Sequence, residues 1–216
     1  MEEVKGIIDK AAVTEPSAIE KRSFEIISEI LGDTRLDPEN ELVIKRVIHT
    51  TADFDYVQNL VFSDHAVQKG IEALKSGCDI VTDTQMAKSG INKTILGRLG
   101  GHVHCFMSDA DVAAEAKERG ITRAAVSMER AAKLEKPCIF AIGNAPTALI
   151  SLHEQMNAGI LNPALIIGVP VGFVNVVESK EMILESQAPH IVARGRKGGS
   201  NVAASICNAM LYQIMR

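Results

Sequence analysis

The chain has no tryptophan, and aromatic residues fill only 4% of its 216 positions. With a net charge of −4, that scarcity excludes a nucleic-acid platform built from basic residues and stacking rings. Cysteine is sparse as well. Cys78, Cys105, Cys138 and Cys207 show no C-x-x-C spacing, and the first three fall in predicted strands, where a reduced cysteine acts as a small buried hydrophobe. Long apolar runs are missing: the stretch from Ala164 to Val171 is too short to span a bilayer, and Met1-Glu2-Glu3-Val4 lacks the basic-then-apolar layout of a signal peptide. The expectation is a cytoplasmic protein with no membrane contact. Hydrophobic residues at 46% and charged residues at 23% are ordinary for a globular domain. No repeat, low-complexity run or linker interrupts the sequence, so a single domain over residues 1–216 is expected.

From the middle of the chain onward, strand and helix signals alternate. Two helices come first, Pro16 to Leu31, ended by Gly32, and Pro38 to Thr50, with Asp37 as N-cap and Pro38 as first helical residue. A third runs from Asp64 to Ser76, capped by Ser63 and ended by Gly77. Five short apolar segments then read as strands: Cys78 to Thr82, Val103 to Met107, Cys138 to Ile142, Ala164 to Val169 and Ile191 to Ala193. Helical patterns separate and follow them, over Asp109 to Arg119, Thr122 to Leu134, Pro146 to Asn157, Val174 to Glu185 and Asn201 to Ile214. Strands spaced by helices need crossover connections, which predicts a three-layer α/β fold: a five-stranded parallel sheet covered on both faces, with two N-terminal helices.

Ligands of such sheets bind beyond the carboxyl ends of the strands, so the loops that follow the strands are the candidate walls. They read Asp83-Thr84-Gln85-Met86-Ala87-Lys88-Ser89-Gly90, Ser108-Asp109, Gly143-Asn144-Ala145-Pro146-Thr147, Pro170-Val171-Gly172-Phe173, and Arg194-Gly195-Arg196-Lys197-Gly198-Gly199-Ser200. In the last, Gly198 and Gly199 before a helix let backbone N–H groups approach an anion, with Arg194, Arg196 and Lys197 adding charge. The same loop also reads as a flexible connection with solvated charges. Neither a P-loop nor a G-x-G-x-x-G follows the first predicted strand, which weakens a nucleotide-binding reading.

The segment Arg46-Val47-Ile48-His49-Thr50-Thr51-Ala52-Asp53 carries the most chemistry. His49 falls in the last turn of the second helix, where the negative end of the helix dipole favours the protonated ring and suits a proton donor. Arg46 is three residues earlier on the same face. Alternatively, His49 only caps its own helix. His102 and His104 share a face of an extended segment, but no third ligand stands beside them at metal-site spacing, nor beside His65, His153 or His190. No G-x-S-x-G elbow occurs, and Ser23 on its own reads as a solvent-side helical residue.

In order along the chain stand Arg22-Ser23-Phe24-Glu25-Ile26-Ile27, Arg46-Val47-Ile48-His49, Asn59-Leu60-Val61-Phe62-Ser63, Asp83-Thr84-Gln85-Met86 with Gly90-Ile91, and Thr122-Arg123-Ala124-Ala125. Gly143-Asn144-Ala145-Pro146-Thr147-Ala148-Leu149, then Gly168-Val169-Pro170-Val171-Gly172-Phe173-Val174 with Glu178-Ser179-Lys180, and finally Gly195-Arg196-Lys197-Gly198-Gly199-Ser200 complete the series. Together these blocks resemble the precorrin-8X methylmutase family of cobalamin biosynthesis over nearly the whole chain. The segment Thr50-Thr51-Ala52-Asp53 departs from the Gly- or Cys-containing variants of that family.

The resemblance implies a flavodoxin-like sheet, a homodimer with active sites near the subunit interface, and an isomerase that moves a methyl group from carbon 11 to carbon 12 of precorrin-8 or its cobalt form. The product is hydrogenobyrinate or cobyrinate. No redox or metal cofactor is implied beyond what the tetrapyrrole itself carries. His49 matches the family's catalytic histidine, and Ser23 and Arg46 match substrate-contacting residues. Thr84, Met86, Gly90, Ile91, Arg123, Asn144 and Thr147 stand in matching blocks and are expected to bind substrate. The rim of such a substrate bears many carboxylates, which Arg46, Arg123, Lys93, Arg196 and loop N–H groups suit. Two rivals remain at this stage, a corrinoid carrier without turnover and a flavodoxin-like nucleotide or flavin protein.

Overall fold

A computed structural model describes residues 15–215; the segment Met1 to Val4, where a signal peptide was sought, lies outside the described residues. The chain divides into two compact units, residues 1–36 and 37–216, each treated by itself. The first contains α1 (Pro16–Leu31), which ends where Gly32 turns to φ +52, as its sequence dictates.

The second unit begins with α2 (Glu41–Thr51), α3 (Tyr56–Asn59), β1 (Leu60–Phe62), α4 (Ala66–Lys75), β2 (Asp79–Thr82), α5 (Gln85–Gly90) and α6 (Lys93–Arg98). It continues with β3 (Val103–His104), α7 (Ala110–Arg119), α8 (Arg123–Ala131), β4 (Cys138–Ile142), α9 (Pro146–Asn157), β5 (Leu165–Gly168), α10 (Val176–Leu184), β6 (His190–Ala193) and α11 (Ser200–Ile214). The five expected strands are present and mutually parallel in the order β6-β5-β4-β2-β3. Counted among themselves, that is the 2-1-3-4-5 order of flavodoxin-like sheets. A sixth strand, absent from the sequence reading, lies antiparallel on the β6 edge, pairing Leu60 with Ala193 and Phe62 with Ile191. Three residues carry too little periodicity to announce a strand, so pairing, not pattern, defines β1.

Strands β2, β4, β5 and β6 are buried along their whole length, and β4 and β5 accordingly read as continuous apolar runs. Val81, Phe140, Ile142, Ile166 and Val192 face one layer, packing with Met128 of α8, Leu149 and Leu152 of α9 and Ile183 of α10. The opposite layer is centred on α11, which packs against α2, α4 and α5. A Cβ at Gly70 of α4 would lie 2.9 Å from the Leu165 side chain and 2.5 Å from Met210, so glycine lets α4 settle between the sheet and α11 without displacing those side chains.

Three helix starts lie two or more residues from expectation, α10 among them, which begins at Val176 rather than Val174 behind left-handed Asn175. α2 begins at Glu41 behind Asn40, because Asp37 spends its side chain on a preceding turn, accepting from Glu39 N at 3.0 Å and Asn40 Nδ2 at 3.2 Å. α4 starts behind His65 in the left-handed region, and Ser63 instead accepts from the backbone N–H of His190 at 2.9 Å, fastening β1 to β6. Cys78 and Cys105 flank β2 and β3, leaving only Cys138 within a strand. All four cysteines are buried free thiols, and burial pushes Cys78 up to about 12 and Cys138 up to about 11. They are inert structural residues.

Candidate functional site

The carboxyl ends of β2 and β4 flank the point where strand order reverses, the crevice in which flavodoxin-like folds place ligands. Here the crevice is filled from within. Asp83, fully buried, accepts from the backbone N–H groups of Gly143 at 2.9 Å, Asn144 at 2.8 Å and Ala145 at 2.5 Å. Burial pushes its carboxyl up, while these donors pull it down. A carboxyl group thus already occupies the N-terminal approach to α9, and it belongs to the protein. Beside it, Thr84 caps α5 by accepting from Ala87 N at 3.0 Å and meets Ser200 Oγ of α11 at 2.8 Å. Asn144 is exposed and Thr147 half-buried. Thr147 accepts from Thr122 Oγ1 at 2.9 Å, which sets it next to the start of α8, where exposed Arg123 donates to Met107 O at 3.4 Å.

The expected loop Asp83 to Gly90 is largely helical, as α5. Met86 stands 71% exposed on it, whereas Ile91 is buried. Gly90 lets α5 close on α11, since a Cβ there would come within 2.9 Å of Ala204, and Asn208 holds the junction by donating to Gly90 O and accepting from Asn92 N, both at 2.8 Å. Gly90 and Ile91 therefore shape the backbone under the site rather than presenting side chains to it. Lys93 is exposed at the first residue of α6.

The glycine-rich loop between β6 and α11 is closely packed, not slack. A Cβ on Gly198 would lie 2.1 Å from Val169 O and one on Gly143 2.8 Å from Gly199 O, so both positions require glycine. Its cations are mostly spoken for. Arg194 makes paired bonds to Glu181 at 3.0 and 3.1 Å, and Lys197 bonds Asp53 and Asp55 at 2.6 Å each. Those bonds hold the Lys197 ammonium above, and the Asp53 carboxyl below, their ordinary ranges. Arg196 lies instead 6.0 Å over the ring of Phe173. Sequence reasoning missed Lys180, which is fully buried and donates to Gly195 O at 2.7 Å and Lys197 O at 2.9 Å. Burial pushes its ammonium down to about 8. In the sequence it stood within the block Glu178-Ser179-Lys180 with no role attached to it.

The Lys197 pair draws the end of α2 toward the carboxyl ends of the strands. His49 sits in the last turn of α2, half-buried. That turn is closed by Thr50 and Thr51, whose hydroxyls donate to Arg46 O at 2.9 Å and Val47 O at 2.8 Å, and by Ala52, left-handed at φ 54, whose N–H donates to Ile48 O. The N–H of Ala52 thus closes the helix end on Ile48 O, the first of its four terminal carbonyls. Arg46, one turn earlier, is buried with its guanidinium 5.1 Å from the Tyr212 ring centroid. Ser23 is half-buried on α1, in the first unit.

The other histidines have local explanations. His104 Nε2 lies 2.9 Å from the buried Asp79 carboxylate, His65 Nδ1 lies 3.1 Å from Glu39, and His190 Nδ1 lies 2.9 Å from Ala188 O. His102 is exposed, and His153 contacts Asn157 at 3.4 Å. Among the described residues no group of three His, Cys, Asp or Glu side chains is arranged to hold a metal ion, and no helix is long and apolar enough to cross a membrane.

Comparison with known proteins gives matches along most of the chain. Residues 18–213 match the family model described as precorrin-8X methylmutase. The chain is 48% identical over 208 residues to the cobalt-precorrin-8 methylmutase of Salmonella typhimurium, covering 94% of this chain and 97% of that protein. It is 38% identical to the precorrin-8X methylmutase of Pseudomonas aeruginosa, covering 92% and 96%. A crystal structure of the precorrin-8X methylmutase from Thermus thermophilus superposes with a TM-score of 0.84 at 36% identity, covering 92% and 98%.

Proposed function

The chain belongs to the precorrin-8X methylmutase family and is an isomerase of cobalamin biosynthesis, and from that premise we propose that it moves the methyl group on carbon 11 of precorrin-8 to carbon 12, with His49 as the proton donor. Relatives named for the cobalt-containing substrate, among them one 48% identical, favour cobalt-precorrin-8 as the natural substrate and cobyrinate as the product. The bond from the methyl carbon to C11 breaks as its bond to C12 forms. Substrate and product are isomers, so no electron or proton is gained overall, and a proton lent to select the reactive tautomer is returned. Such a shift needs no protein nucleophile; the protein contributes by holding the ring in the reactive conformation and by placing one proton.

The observation that carries this reading is the position of His49. Its helix end is secured by Thr50, Thr51 and Ala52, and the following Asp53 and Asp55 are tied by Lys197 to the glycine-rich loop at the strand ends. We assign substrate binding to Ser23, Arg46, Thr84, Met86, Arg123, Asn144 and Thr147, with Gly90 and Ile91 shaping the backbone beneath. Residues 1–216 act in this reading as one methylmutase domain, in a cytoplasmic homodimer. The continuous family match over 18–213 supports the first part. The test is to incubate the pure protein with the metal-free and the cobalt-containing precursor and record absorption spectra. Conversion of the cobalt form is expected; a bound ring that is never isomerised would show a carrier.

A further inference from the structure

The loop after β5 exposes apolar surface that folding leaves uncovered: Phe173 is 85% exposed, Val174 77% and Val171 47%. An exposed ring beside exposed valines marks a surface used for contact. The backbone beneath it is fixed. Val169 N donates to Ile142 O at 2.8 Å, Gly199 N to Val169 O at 2.9 Å, and Gly172 N to Arg196 O at 3.2 Å. The carbonyls on either side of Arg196, those of Gly195 and Lys197, are both held by buried Lys180. Ring and guanidinium, 6.0 Å apart, are therefore presented as a unit by two interlocked loops at the carboxyl ends of β5 and β6.

We propose that Phe173, with Val174 beside it, is a platform for the apolar face of the tetrapyrrole, and that Arg196 takes a carboxylate at the edge of the same ring. The assignment rests on the methylmutase reading and adds the residues that fix how the macrocycle lies. A ligand with an apolar face and an ionised rim matches an aromatic ring carrying a cation. The position agrees, since parallel sheets take ligands beyond their strand ends. Arg194 and Lys197 are engaged by Glu181, Asp53 and Asp55, so among the loop's three cations Arg196 is the one turned to a ring rather than to a carboxylate of the protein.

The test compares wild type with Phe173→Ala and Arg196→Gln, using (cobalt-)precorrin-8 turnover, product titration by absorption, sedimentation and urea unfolding. Phe173→Ala is expected to raise KM and the product Kd roughly ten- to a hundredfold while kcat stays within about twofold and the unfolding midpoint is unchanged, because the ring is exposed. Arg196→Gln is expected to raise KM and to reduce its dependence on salt, as loss of a charge pair requires. Wild-type KM and Kd in Phe173→Ala, with an active wild-type enzyme, overturn the platform alone. An affinity loss that tracks dissociation into monomers also overturns it and gives the patch to a second copy. A wild type inert toward both precursors and product overturns the methylmutase reading and this assignment together.

Discussion

At the scale of single residues, two positions in one helix turn carry separate expectations. His49→Ala should lose turnover by roughly two to four orders of magnitude, the usual worth of a positioned general acid, and should fold normally, because the N–H of Ala52 closes the helix end on Ile48 O. Steady-state rates at saturating substrate check this, and wild-type rates would remove the histidine from the mechanism. If it acts protonated, wild-type kcat declines on the alkaline side and any residual activity of His49→Asn lacks that limb. Ala52 is a stability question. It holds φ 54 with a β-carbon, a conformation that costs a non-glycine residue on the order of 1–2 kcal/mol. Ala52→Gly should therefore raise stability by about 1 kcal/mol, or roughly 2–4 °C in Tm for a chain of this size, read by calorimetry; a fall in Tm would show that the strain is absorbed elsewhere.

At the scale of elements, the sheet and its covering helices were legible because burial on both faces forces unbroken apolar runs, and β4 and α9 appear with the expected ends. What escaped detection was short or defined by a partner. β1 exists by pairing with β6, and α5 and α6, six residues each, are shorter than the window in which helical periodicity shows. The site divides in the same way. His49 and the loops stood in the sequence, but the work of Asp83 and Lys180 is on backbone atoms 60 and 15 residues away, and no spacing rule reaches across such distances. Lys180 gives an element-level prediction. Its folded value of about 8 lies below the ordinary 10.5, so between these values the unfolded chain holds the extra proton and folding stability rises with pH. A neutral amine still has two N–H donors for Gly195 O and Lys197 O. Wild type should therefore gain on Lys180→Met when urea unfolding is compared at about pH 7.5 and about pH 9.5. A difference that stays flat would mean that the two carbonyls hold the ammonium charged throughout.

At the scale of the whole molecule, the topology belongs to a class that often binds nucleotides, and the protein departs from that use at one identifiable place. The switch-point crevice between β2 and β4 is the natural seat of a phosphate, yet the N–H groups of Gly143, Asn144 and Ala145 are consumed by Asp83. A phosphate brought there would meet a carboxylate and find its donors taken, so flavin mononucleotide should bind neither tightly nor with any effect on unfolding. In the proposed reading the corrinoid takes other partners, the cations and exposed loop side chains around the strand ends, and it should bind the folded chain alone. At a free concentration one hundred times Kd, linkage then adds about 2.7 kcal/mol to stability, which for a chain of this length is a rise in Tm of roughly 5–10 °C. Thermal unfolding with cobyrinate, with flavin mononucleotide and with inorganic phosphate separates the two uses of the fold. A shift with cobyrinate alone is the expected result, and a comparable shift with either phosphate compound would show that Asp83 yields its place and that the crevice still serves the ligand its topology suggests.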